Sequence, residues 1–173
     1  MLAELEQRAQ TWKVQWASEI LPGLWLGSGN AASKLETLQR HRITHILNVA
    51  DDVPNFHPSA FTYGNLGVTD FGQDVGIRRV FPTAFAFLDD ALARDDGRVL
   101  VHCAAGANRS ATVVLAYLMH AKKMALADAW AHVRSRRRGI CPLRDNRKEL
   151  MAFELELFGC YSFQSLDAFL ELR

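Results

Sequence analysis

The chain reads as an α/β domain with a central, mostly parallel sheet of about five strands and helices on both faces. Short apolar runs alternate with longer segments whose apolar residues fall three or four apart. One run, Arg98–His102 (RVLVH), is apolar without alternation, as strands covered on both faces are. That run passes through a cysteine and a glycine-containing loop into an apolar helix. This is the strand–loop–helix geometry of an anion site in an open α/β sheet.

The elements follow in order. Met1–Trp16 spaces Leu2, Leu5, Ala9, Trp12 and Trp16 as one face of an amphipathic helix. Glu19–Leu21 and Leu24–Leu26 are short strands around the Pro22-Gly23 turn. Asn30 caps a helix over Ala31–Arg40, with Leu35 and Leu38 facing inward. Ile43–Val49 is a buried strand, Asp51–Pro58 a polar loop, and Phe61–Leu66 a strand leading into the loop Gly67–Gly76. Arg78–Arg94 is a helix carrying Phe81, Phe85, Leu88 and Leu92, with Pro82 in its first turns. After Arg98–His102 come helices at Asn108–Ala121, Ala125–Arg138 and Asn146–Phe158, the last opening on a capping-box-like Asn146/Glu149 pair. Ser162–Leu172 ends the chain on a second short apolar stripe.

The 173 residues suffice for one domain with a sizeable core. They divide into a helical extension (1–17), a main α/β domain (18–158) and an apolar tail (159–173). Net charge is +1, so no global field draws nucleic acid or a membrane surface. No apolar run reaches the length of a membrane span, and Met1–Ser18 has no signal-peptide core. Three widely separated cysteines make neither a disulfide framework nor a zinc site. The expected setting is therefore reducing and cytoplasmic, with the nucleus also accessible, and no metal or cofactor is expected. The terminal stripes are read as caps on the core, and a homodimer through them is the other reading.

Val99–Val113 carries the chemistry. Cys103 ends a strand at the floor of a loop, and backbone N–H groups from Ala104, Ala105, Gly106, Ala107, Asn108 and Arg109 form a nest for an anion. Nest and helix dipole stabilise negative charge, first on sulfur and then on a phosphoryl group. Such surroundings turn a cysteine into a thiolate, the nucleophilic form. Arg109 offers two parallel donors to two phosphoryl oxygens, a geometry lysine cannot copy. Gly106 permits a turn that a Cβ would obstruct. Ser110 is placed to donate to the sulfur and assist its departure, and His102 to brace the loop. A buried structural cysteine would explain Cys103 alone, but not Gly106, Arg109 and Ser110 with it.

His-Cys-x-x-Gly-x-x-Arg-Ser at 102–110 resembles the signature of the cysteine-dependent protein phosphatases. LWLGSGNAASKLETLQRHRITHILNVA and RVLVHCAAGANRSATVVLAYLM are similar to the opening and the catalytic segment of their small dual-specificity branch. The similarity covers about Ser18–Phe158. It implies that branch's fold, a metal-free phosphocysteine mechanism, and phosphorylated protein substrates carrying phosphotyrosine, phosphoserine or phosphothreonine. It also implies an acid in a loop upstream of the cysteine. Asp70 fits that position first, and Asp74 second. The chain departs from the family at two places: Asn108 stands where the family usually has Ser, and Cys141-Pro-Leu-Arg-Asp-Asn146 where it usually has Pro-Asn-x-x-Phe.

Two other functions compete. A phosphatase of a non-protein phosphate ester shares the fold, but lipid-directed relatives place lysines in the loop where this chain has alanines. A non-catalytic phosphoprotein-binding relative would have lost the cysteine or the arginine, and both are present; Asn108 is the motif change in its favour. Outside the loop, the run Arg134, Arg136, Arg137, Arg138 complements a helix C-terminus or docks an anionic partner. Arg78 and Arg79 lie on an exposed face or touch a second phosphate, and Arg144 is close enough to reach the pocket rim. Cys141 and Cys160 are idle or form a reversible disulfide with Cys103.

Overall fold

In a computed structural model, residues 16–70 and 76–172 are described. The Met1–Trp16 helix lies outside them except for Trp16, as does Asp74. The sheet has five strands: β1 (Ala17–Leu21), β2 (Leu24–Ser28), β3 (His45–Ala50), β4 (Thr62–Val68) and β5 (Val99–Cys103). Their order is β1-β2-β5-β3-β4. The β1–β2 hairpin is antiparallel, and the other pairings are parallel. β5 lies at the centre and is buried at every residue. Its register sets His102 beside Gly27 of β2 and Asn48 of β3, and Cys103 beside Ser28.

Alternation along the strands divides the core. Leu24, Leu26, Leu47, Val49, Val99 and Val101 face the larger helical layer, while Ile46, Leu100 and the partly buried Trp25 face the smaller one. The smaller layer is α1 (Gly29–Ala32) and α2 (Leu35–Arg40). The larger is α3 (Phe81–Leu92), α4 (Arg109–Lys122), α5 (Leu126–Arg136), α6 (Arg144–Phe158) and α7 (Leu166–Leu170). From Arg109 to Met119, α4 is buried on every side and runs through the middle of this layer.

Several expectations are corrected. The single helix at Ala31–Arg40 is two, and Ser28 rather than Asn30 caps the first. The break has a local cause: Ser33 Oγ bonds back to Asn30 O, and Lys34 is not helical. A 3₁₀ turn at Ile77–Val80 precedes α3, whose regular part starts beside Pro82. α6 begins before Asn146, with no side-chain cap, so the capping-box reading fails. The last helix shrinks to Leu166–Leu170, capped by Ser165.

The C-terminal stripe packs on the domain. Phe169 is fully buried, stacks on Phe163 at 4.4 Å and meets Trp130 edge-on at 5.1 Å. Arg147 lies over both Trp130 and Phe169 and donates to the carbonyls of Pro142, Phe169 and Leu172. Trp130 and Phe169 are thus covered within the chain, and Phe163 partly so.

Candidate active site

The loop after β5 is shaped from outside. Gly29 N–H donates to Ala104 O at 3.0 Å, Arg137 Nε to Gly106 O at 2.9 Å, and Cys141 N–H to Ala107 O at 2.7 Å. Thr112 donates to Asn108 O with both its N–H and its hydroxyl. With these four carbonyls held outward, the N–H groups are left to face the concave side. Gly106 has φ +67°, and a Cβ there would sit 2.4 Å from Gly27 O. Only glycine fits the turn.

Cys103 sits at the floor, 2% exposed. Gly106 N–H donates to its sulfur at 3.3 Å, and Ser110 Oγ lies 3.1 Å from it. Ser110 and Arg109 open α4, so the sulfur also faces a helix N-terminus.

Arg109 is 1% exposed. Its Nη1 donates to Asp52 at 2.8 Å and to Val68 O at 2.9 Å, with Asp51 at 3.5 Å. Burial works against its charge, but the Asp52 hydrogen bond, with Asp70, Cys103 and the Asp52 charge, more than offsets this. The guanidinium therefore holds its proton above its ordinary value. The bond from Arg109 in turn holds the Asp52 carboxyl below its ordinary value. The Nε of Arg109 lies 3.2 Å from Asp70 Oδ1 but is buried with no hydrogen-bond partner among the described residues. A buried, unmatched guanidinium N–H suits a phosphoryl oxygen.

Asp70 is brought to the same place. Its Oδ1 accepts from Asn108 Nδ2 at 2.8 Å. Asn108 Oδ1 accepts from Leu143 N–H and from Asn146 Nδ2, each at 2.8 Å. One amide thus ties the loop, the acid and the start of α6 together. Ala104, Ala105 and Ala107 add no side chain capable of hydrogen bonding.

His102 meets the backbone at the start of the loop through one ring nitrogen. Its Nδ1 lies 3.4 Å from Cys103 O, and its Nε2 has no hydrogen-bond partner among the described residues. Burial pushes its pKa down to about 4, so the ring is neutral. Arg137, read as part of a solvated basic run, reaches beneath the loop to Gly106 O, where burial pushes its guanidinium below the ordinary value and Cys103 opposes that.

Three other arginines are engaged elsewhere. Arg78 pairs with Glu156, Arg79 reaches Gly67 O, and Arg144 faces Asp167 at 3.8 Å. Cys141 and Cys160 are free and exposed. Asp52, Arg137 and Asn146 are the site residues that sequence reading missed. Only Asp52 carried a signal, as an acid just past the C-terminal end of a parallel strand, where open sheets place their ligands. Among the described residues, no His, Cys, Asp and Glu side chains group to hold a metal ion.

A sulfur at the floor of a loop, a fixed guanidinium and a carboxylate at the rim suit phosphoryl chemistry. Comparison with known proteins shows the family. The family model described as "Dual specificity phosphatase, catalytic domain" matches residues 24–156. The mouse protein "Dual specificity protein phosphatase 19" is 39% identical over 136 residues, 79% of this chain and 61% of its own length. The human "Dual specificity protein phosphatase 2" is 40% identical over 152 residues, 88% of this chain and 48% of its own. This chain thus spans less than two thirds of the curated relatives it matches. Among solved structures, human DUSP28 superposes with a TM-score of 0.75 at 30% identity, covering 82% of this chain and 94% of that one. The human tyrosine phosphatase-like serine/threonine/tyrosine-interacting protein gives 0.73 at 37%, covering 81% and 96%.

Proposed function

This chain belongs to the dual-specificity phosphatase family, and from that premise we propose that it removes phosphate from phosphotyrosine, phosphoserine and phosphothreonine in proteins through a phosphocysteine intermediate. The observation that carries this reading is the Cys103 sulfur at the floor of a loop four of whose carbonyls are bonded to groups outside it. Cys103 Sγ attacks phosphorus in line. As the S–P bond forms, the P–O bond to the substrate breaks, and Asp70 gives its proton to the leaving oxygen. The loop N–H groups and Arg109 hold the three equatorial oxygens. Water then attacks phosphorus, Asp70 takes its proton, and the thiolate leaves with help from Ser110. No step needs a metal.

A phosphorylated protein is the proposed partner, and a reducing, cytoplasmic setting with access to the nucleus is the proposed location. Free, exposed Cys141 and Cys160 support the latter. No helix of the described residues is long and apolar enough to cross a membrane.

The test is hydrolysis of an aryl phosphate and of peptides carrying each phosphorylated residue, in excess chelator. Turnover that survives chelation and disappears in Cys103→Ser is expected. Turnover that requires a metal, or that Cys103→Ser retains, would sink the proposal.

A further inference from the structure

The two places where this chain departs from its family's motif touch each other. Asn108 Oδ1 accepts from Leu143 N–H and from Asn146 Nδ2, both within the divergent segment, while its Nδ2 donates to Asp70. We propose that Asn108, held by Asn146, is the positioning residue of the general acid: it locks the Asp70 carboxyl against the phosphate loop and assigns the transferable proton to Oδ2.

The orientation of the amide follows from its partners. A backbone N–H only donates, so the Asn108 atom facing Leu143 must be the oxygen. The amide nitrogen is then forced towards Asp70. Facing a donor, Asp70 Oδ1 must be an acceptor, and the positively charged Arg109 brings its Nε within 3.2 Å of the same atom. The proton that reaches the leaving oxygen therefore sits on Oδ2, and the water proton returns there in the second step. A serine at 108 is one carbon shorter and has a single hydroxyl. It cannot span Asp70, Leu143 and Asn146 together. Asn146 lies inside α6 rather than at its cap, and its amide nitrogen donates to Asn108.

This inference rests on the phosphatase reading and concerns only how its acid is held. An acid matters in proportion to the basicity of the leaving oxygen. The test is a series of aryl phosphates of increasing phenol pKa, extended to a phosphoserine peptide, with kcat measured for wild type, Asn108→Ser and Asn146→Ala. In Asn108→Ser the loss should grow along the series, to about tenfold or more on the peptide. Asn146→Ala should show the same trend more weakly. In an Asp70→Asn background, Asn108→Ser should no longer change the slope. A loss equal for all leaving groups, or one that steepens the slope equally without Asp70, overturns the proposal while leaving the phosphatase reading intact. Failure of the wild-type protein to hydrolyse any member overturns both. Should Asn108→Ser not fold, Asn146→Ala carries the same readings.

Discussion

At the residue scale, buried groups decide what the site costs as well as what it does. His102 lies fully buried and neutral at the centre of the sheet, its pKa pushed down to about 4 by burial. Its folded value is below the unfolded one, so the unfolded chain takes up the proton first. Stability therefore falls as pH drops from about 6.5 towards about 4, by up to about 3 kcal/mol for this one ring. His102→Gln should flatten that part of a pH–stability curve measured by denaturant titration. An unchanged curve would mean that the ring is not shielded from water. Arg109 shows the opposite balance. Burial disfavours its charge, and Asp52 leads the acids that restore it. The same bond fixes one end of the guanidinium, leaving its Nε without a hydrogen-bond partner among the described residues.

At the element scale, the loop between β5 and α4 depends on one backbone conformation. Gly106→Ala places a Cβ against Gly27 O, a backbone atom of a buried strand that has nowhere to go. The loop must shift: kcat/KM on an aryl phosphate should fall about a hundredfold, and the melting temperature should fall as well. Retained activity would show that the turn tolerates a side chain. The C-terminal helix α7 is likewise part of the fold. Phe169→Ala removes a buried ring stacked on Phe163 and edge-on to Trp130, at a cost of about 3–5 kcal/mol. A melting temperature lower by about 10 °C is expected, and no change would mean that the segment merely rests on the surface. Strands and helices were legible where apolar spacing alone decides them, as in Val99–Cys103 and Arg109–Lys122. Helix ends were less so. The break at Ser33–Lys34 turns on one side-chain hydrogen bond, and Asn146 looked like a cap until its amide found Asn108 instead.

At the scale of the whole molecule, the site combines one contiguous segment with contributions from far along the chain. Cys103, Gly106, Arg109 and Ser110 were readable because a single loop carries them. Asp52 meets Arg109 across 57 residues, Asp70 meets Asn108 across 38, and Arg137 meets Gly106 across 31. Their meeting is set by strand order and by the crossing of α4 and α5 behind the sheet, which local spacing does not encode. Asp70 was found from the family resemblance; Asp52 offered only its place just past the end of β3, and Arg137 became visible only once β5 and α5 were in place. What joins these parts is the claim that a covalent bond forms on Cys103. The most direct measurement is an acid quench during turnover of a phosphotyrosine peptide, followed by mass spectrometry of the Cys103 peptide. Phosphate on the Cys103 sulfur in wild type, and none in Cys103→Ser, is the predicted result. Steady turnover with no phosphate ever trapped on Cys103, and persisting in Cys103→Ser, would contradict it.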